Sequence, residues 1–358
     1  MADTLKLVKK ISRLADGKKN LRFMEVCGTH TVAIFRSGIR QILPDNVELV
    51  SGPGCPVCVT GDDFIDKAVA YARKKNFIIA TFGDMLKVPG SRTNLSREAA
   101  AGAKIKIVYS PLDCIQIAKE NPRKQVIFLA VGFETTAPTQ AATVLAAKAQ
   151  GVKNLFMLSA QKLVPPALKF LLGDAQVNVD GFLLPGHVAV VIGANAFNFL
   201  ANEYKIPSAV GGFEADEILS ALKSLLEQID SGNVEVANNY RSVVTDEGNV
   251  AAKKILAQVY EVTDAEWRGM GTIPASGLKM RDEFADFDIE RVEPVEVEHV
   301  DKKSACRCGE VLRGLVKPTE CPLFGKACRP LHAIGPCMVS VEGVCTAWFK
   351  YGNSKFIF

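Results

Sequence analysis

The chain is 358 residues long, 48% hydrophobic and 23% charged, with a formal net charge of +4, an ordinary globular balance sufficient for about two or three domains. No Lys/Arg run interleaved with aromatics marks a nucleic-acid surface, and no apolar run is long enough to span a bilayer. The start, Met1-Ala2-Asp3-Thr4-Leu5 followed by Lys6, Lys9 and Lys10, lacks the apolar stretch of a secretory leader, so a cytoplasmic protein with reduced thiols is expected.

Leu5, Val8, Ile11 and Leu14 recur at helical spacing and predict an N-terminal helix over 4–20, closed by Asp16-Gly17. Short apolar runs then alternate with helical stretches. Runs at 23–27, 47–50, 77–82 and 105–109 have helices predicted at 62–75 and 112–120 between or after them. A second set lies at 126–131, 155–158, 182–184 and 209–210. Runs this short and rich in Ile and Val suit parallel strands buried on both faces. The expected fold class is therefore α/β: two similar parallel-sheet domains flanking a cleft, possible products of a duplication, plus a third, mostly helical or loop-like, cysteine-rich domain. The expected boundaries are 1–20 for the helix, 21–124 and 125–237 for the two α/β domains, and 238–358 for the last.

The chemistry-bearing residues cluster at the ends of the apolar runs, where parallel sheets bind ligands. Cys27-Gly28-Thr29-His30 places a thiol and an imidazole three residues apart, which reads as a transition-metal pair, a Cys–His nucleophile pair, or packing. Cys55-Pro56-Val57-Cys58 is a C-x-x-C that suits a redox dithiol or half of a metal site. Asp84 and Glu134 stand at loop mouths as proton carriers or plain caps, and His187 shares that ambiguity. Cys114, inside an apolar helical stretch, reads as a core thiol. Gly52-Pro53-Gly54 lacks the Lys-Ser/Thr of a phosphate loop, so no nucleotide site is expected.

Six of the ten cysteines fall between Cys306 and Cys345: Cys306, Cys308, Cys321, Cys328, Cys337 and Cys345. In a reducing compartment such a block points to metal or redox chemistry rather than three disulfides. The intervening lengths of one, twelve, six, eight and seven residues contain no C-x-x-C. Irregular spacing among Gly and Pro leans toward an iron–sulfur cluster over zinc.

C-G-T-H-T at 27–31, G-P-G-C-P-V-C at 52–58, F-G-D-M at 82–85 with V-P-G at 88–90, G-F-E-T-T-A-P at 132–138, L-P-G-H-V at 184–188 and the six-cysteine block together resemble the HypD family, maturation proteins of [NiFe] hydrogenases. The resemblance spans nearly the whole chain and departs at no motif cysteine. It implies a cytoplasmic scaffold on which an iron carrying two cyanides and one carbon monoxide is assembled. The implied partners are a HypC-type small chaperone and a HypE-type cyanide donor, with no nucleic acid or membrane; the free protein is expected to be a monomer. The resemblance assigns a [4Fe-4S] cluster to Cys306, Cys321, Cys328 and Cys345, and a redox pair to Cys308 and Cys337. It also assigns one additional iron to Cys27 with His30 nearby, and a second redox pair or iron-binding role to Cys55 and Cys58. A scaffold with redox-active thiols is thus expected rather than an enzyme with a defined turnover. The alternative is a standalone thiol–disulfide oxidoreductase resembling ferredoxin:thioredoxin reductase.

Overall fold

The computed structural model of the chain describes residues 2–298 and 304–352, and its parallel strands fall into two sheets. In chain order the strands are β1 (Leu21–Glu25), β2 (Val47–Ser51), β3 (Phe77–Thr81), β4 (Ile105–Ile107), β5 (Gln125–Gly132) and β6 (Leu155–Gln161). They continue with β7 (Gly181–Pro185), β8 (Ser208–Gly211), β9 (Val236–Asn238), β10 (Tyr260–Trp267) and β11 (Gly271–Met280). One sheet has the order β2-β1-β7-β8-β9 and the other β4-β3-β5-β6. Phe23 registers with Leu49 across β1/β2, and Ile79 with Ile127 across β3/β5.

The expected division at 124/125 is corrected by this pairing. It would cut the second sheet between β4 and β5. The chain instead leaves the first sheet after β2, builds the second from β3 to β6, and returns to the first at β7. Buried parallel strands all read as apolar runs, and nothing in such a run names its partner. The expected likeness of the two units holds at the level of topology. If the strands of each sheet are numbered in their own chain order, both sheets run 2-1-3-4, and the first adds a fifth. Each sheet therefore has one switch point, between β1 and β7 in the first and between β3 and β5 in the second.

Alternation along the strands builds a core on each face. Phe23 and Leu183 pack with Ile11 of the helix Ala2–Ala15 and Leu222 of the helix Ala215–Ser231. Met24, Phe182 and Leu184 face the other way, toward Trp267, Val311 and Leu312. In the second sheet Val126, Phe128 and Ala130 enter one core while Ile127, Leu129 and Val131 enter another. Each large side chain so buried contributes roughly 1.5–3 kcal/mol.

Three further differences stand out. The first helix ends at Ala15, not 20, because Gly17 adopts a left-handed conformation. Residues 260–280 form an antiparallel hairpin, β10–β11, that was not expected; Pro274 hides it from a strand pattern and fits a two-stranded ribbon. The described part of the cysteine block packs no core of its own: Cys308, Val311, Leu312, Cys337 and Val344 join the core on one face of the first sheet. Among the described residues no helix is long and apolar enough to cross a membrane.

Candidate thiol and metal site

Both switch points carry the residues singled out in the sequence. At the first, Cys27 follows β1 and His187 follows β7. At the second, Asp84 follows β3 and Glu134 follows β5. Strand-order reversal splays the loops at such points, which is where parallel sheets place ligands.

Cys27 is the N-cap of the helix Gly28–Arg36, and His30 lies three residues on, in its first turn. The loop is clamped onto the one after β2: Gly28 N–H donates to Gly54 O at 2.9 Å. A Cβ on Gly54 would fall 2.3 Å from Cys27 N, so only glycine fits there. Burial pushes the Cys27 thiol up to about 11; the His30 amide opposes this and the Glu342 charge adds to it. Coordination to a cation would displace that proton.

His30 is fully buried, and its Nε2–H donates to Gly212 O at 2.8 Å. Nδ1 has no partner. Burial holds the imidazole near pKa 4, so it is neutral at physiological pH. A neutral ring with one nitrogen fixed on a carbonyl and the other left with a free lone pair has the arrangement of a metal-ligating histidine. Phe213 lies between this ring and His187, with centroids at 4.6 and 3.9 Å, and Tyr240 meets its edge. Gly212 and Phe213 carry no signal of their own in the sequence beyond a glycine pair at a strand end.

Cys55 and Cys58 form a disulfide with Cα atoms 5.3 Å apart, capping the short helix Pro56–Val59. Both are buried, and Cys58 Sγ lies 4.0 Å from the carbonyl oxygen of Pro336, the residue before Cys337. The C-x-x-C pair thus abuts the C-terminal block across almost the whole sequence.

All six cysteines of that block line one small pocket with Val311, Phe324 and Met338. Gly335 lets the backbone pass Cys306, where a Cβ would sit 2.6 Å from its sulfur. Hydrogen bonds from the Cys306 and Cys337 thiols, with the Arg268 charge beyond, hold the Cys308 thiol well below its usual range; Cys306 and Cys337 are pushed up in turn. Arg268 is fixed at the hairpin tip by Val59 O at 2.9 Å, Thr60 O at 2.7 Å and an ion pair with Asp62. Among the described residues no three His, Cys, Asp or Glu converge as a single ion would need. A four-iron cluster takes one thiolate at each iron rather than several at one point. Four thiols of one pocket, spread over its wall, fit that requirement better than a mononuclear tetrahedral site. Cys114 is a fully buried core residue, as expected.

Asp84 accepts from Ser340 Oγ at 3.0 Å, Ser340 Oγ accepts from Glu342 N–H at 3.3 Å, and Glu342 Oε1 accepts from Thr29 Oγ1 at 2.7 Å. This chain of bonds ties the second sheet's switch point, through the cysteine block, to the Cys27 loop. Ser340 and Glu342 were not singled out in the sequence, where S-V-E-G looks like an ordinary turn.

Glu134 is buried. Oε1 accepts from Val164 N–H at 2.8 Å and Oε2 has no partner. Burial raises its pKa to about 7 from an ordinary 4.5. Between those values the folded protein keeps a proton that the unfolded chain has released, so stability falls as pH rises through that window. The ionised group costs roughly 3 kcal/mol at pH 8 on that linkage. Glu134→Gln keeps an oxygen for Val164 and is expected to be more stable by about that amount at pH 8, with little difference at pH 4.5. Urea denaturation at both pH values checks this; equal differences at the two would show that Glu134 does not titrate abnormally.

The fold and its site define a parallel α/β protein whose first switch point carries a buried Cys–His pair, tied by hydrogen bonds through Thr29 and Glu342 to a bank of thiols. The HypD family profile, described as "Hydrogenase formation hypA family", matches residues 3–352. The chain is 44% identical to "Hydrogenase maturation factor HypD" of Escherichia coli (strain K12), covering 94% of this chain and 91% of that one. It is 40% identical to the protein of the same name from Azotobacter vinelandii, covering 99% and 95%. To that of Cupriavidus necator it is 41% identical, covering 94% and 90%. The chain belongs to the HypD family of hydrogenase maturation proteins.

Proposed function

We propose that the protein is the cytoplasmic scaffold on which the iron with two cyanides and one carbon monoxide is put together for a [NiFe] hydrogenase, in complex with a HypC-type chaperone and a HypE-type cyanide donor. The observation that carries this reading is the His30 ring: neutral, fixed through Nε2–H, and left with a free buried Nδ1 three residues from Cys27 at a topological switch point. Iron here is cargo. A single soft thiolate from Cys27, with the imidazole beside it, leaves the remaining positions open to diatomic ligands and to a partner's thiolate.

Cys306, Cys321, Cys328 and Cys345 would hold a [4Fe-4S] cluster, which supplies one-electron transfer when bound. Cys308 and Cys337 form the neighbouring dithiol. In its reduced form, attack by the Cys308 thiolate on the Cys55–Cys58 disulfide, resolved by Cys337, would leave Cys55 and Cys58 as thiols and Cys308–Cys337 as the new disulfide: two electrons pass and no further reagent is needed. The packing of Cys58 on Pro336 supports this pairing of dithiols. The Ser340–Glu342 bridge would keep the cysteine block and the Cys27 loop in register during that exchange.

The test is anaerobic co-expression with the partner proteins, followed by iron, sulfide and zinc analysis and infrared spectroscopy. About four irons and four sulfides per chain, further iron, and cyanide and carbonyl stretches are expected. Zinc in place of iron and sulfide would overturn the reading. A cluster without diatomic stretches would favour the thiol–disulfide oxidoreductase.

A further inference from the structure

The C-terminal end of β6 opens into a second pocket, of about 370 Å3, which none of the cysteines lines. That volume is at the small end for ligand sites, and strand C-termini are where parallel sheets place them. Its inner wall carries two largely buried polar residues. Lys162 is 5% exposed and lines the pocket, and the nearest charge acting on it is that of Glu266. Gln161 is 1% exposed, and a network fixes its orientation. Gln140 Nε2–H donates to Val131 O at 3.1 Å, which turns Gln140 Oε1 toward Gln161 Nε2–H at 2.8 Å. Gln161 Oε1 is left without a hydrogen bond, with the Tyr260 hydroxyl and Ser159 Oγ as its unpaired neighbours. The backbone does not let Lys162 escape, since its N–H donates to Gly132 O at 2.9 Å and the residue bridges to Gly277.

The rim is mixed with an acidic excess: Lys67 and Lys279 line it too, paired with Glu290 and Glu261. Asp264 and Glu266 are exposed on β10 and Asp288 closes the far side. Asp264 spends one oxygen on Ala275 N–H at 2.9 Å, and Glu266 one on Thr272 Oγ1 at 3.0 Å. A largely desolvated ammonium on a pocket wall favours an anionic group against it. The acidic rim repels a phosphate or a dicarboxylate, and Lys162 repels a plain cation. A molecule with one carboxylate and one ammonium satisfies both ends.

We propose that this pocket binds a small amino acid, its carboxylate inward on Lys162 and its ammonium outward on the Asp264–Glu266 rim. The site is independent of iron chemistry and stands whether or not the scaffold reading does. Burial lowers the Lys162 amine to about 8 while Glu266 opposes that, so the amine is still mostly charged at pH 7.

The test is isothermal titration calorimetry on the full chain at pH 7, with glycine, β-alanine, γ-aminobutyrate, acetate and ethylammonium as probes. At least one amino acid is expected to saturate below about 10 mM and to bind about tenfold more tightly than acetate or ethylammonium. Lys162→Met is expected to weaken it about tenfold or more, the loss of a charge-assisted hydrogen bond. Circular dichroism melting shows whether that variant folds. Glu266→Gln changes only an exposed rim residue and decides the matter if Lys162→Met does not fold. It is expected to weaken the amino acid and leave acetate unchanged or tighter. No saturation by any amino acid, acetate as tight as the amino acids, or full affinity in either variant would overturn the proposal.

Discussion

Cys27→Ala is expected to abolish retention of the extra iron while leaving the rest of the molecule intact. The side chain makes no regular N-cap hydrogen bond to its helix, so alanine forfeits only the weak approach of the His30 and Thr29 amides to the sulfur. Loss of one buried sulfur costs about 1 kcal/mol, a small share of the stability of a chain whose described residues form four hydrophobic cores. The six cysteines around the C-terminal pocket are untouched. Co-expressed with the partner proteins and purified anaerobically, the variant should therefore lose about one iron per chain together with the diatomic stretches, and keep the visible absorbance of a cluster. His30 explains why the loss is complete: a neutral imidazole alone is a single borderline ligand and does not hold ferrous iron against chelating buffer. Full iron loading and unchanged infrared bands in Cys27→Ala would sink the assignment of the crevice. The oxidoreductase alternative makes the contrary prediction that disulfide reduction in trans exists and does not depend on Cys27.

What the residues reveal in advance, and what they hide, follows from the range of the interactions. β5 is legible because Val126–Val131 is an unbroken apolar run ending at Gly132-Phe133-Glu134, and the motif at its end is a local string. Cys27, Cys55, Asp84 and Glu134 were found for the same reason. Which strands pair is not local. β1 lies beside β7, more than a hundred residues away, and both are equally apolar. The tautomer of His30 depends on Gly212, 182 residues on. Lys162 looks like any surface lysine after a strand until the hairpin β10–β11 covers it, and that hairpin is itself disguised by Pro274 and by Ala275, a non-glycine residue with φ of 52°. Glu342 is likewise an unremarked turn residue until its carboxylate meets Thr29.

Gly54→Ala should be the most damaging single-methyl change in the crevice. Gly54 carries no left-handed φ, so the argument is purely one of space. Its added Cβ would lie 2.3 Å from Cys27 N, 2.4 Å from Cys27 Cα and 2.6 Å from Val26 C. All three are backbone atoms at the end of a buried strand, and no rotamer change relieves them. The strand β1 is itself clamped between β2 and β7, so the loop after β2 is the part that must move. That movement breaks the Gly28 N–H to Gly54 O bond and shifts Cys55, whose sulfur accepts from Cys58 N–H at 3.3 Å. A backbone clash plus a lost buried hydrogen bond is expected to cost about 3 kcal/mol or more. Gly173 supplies the control: it ends the helix Val164–Gly173, and a Cβ there meets nothing within 4 Å. Gly173→Ala is expected to be neutral or to stabilise by up to about 1 kcal/mol through helix propensity. Urea denaturation of the two variants beside the parent checks both. A Gly54→Ala midpoint equal to that of Gly173→Ala would mean that the two loops are not packed against each other in solution, and the crevice that places Cys27 and His30 together would have to be redrawn.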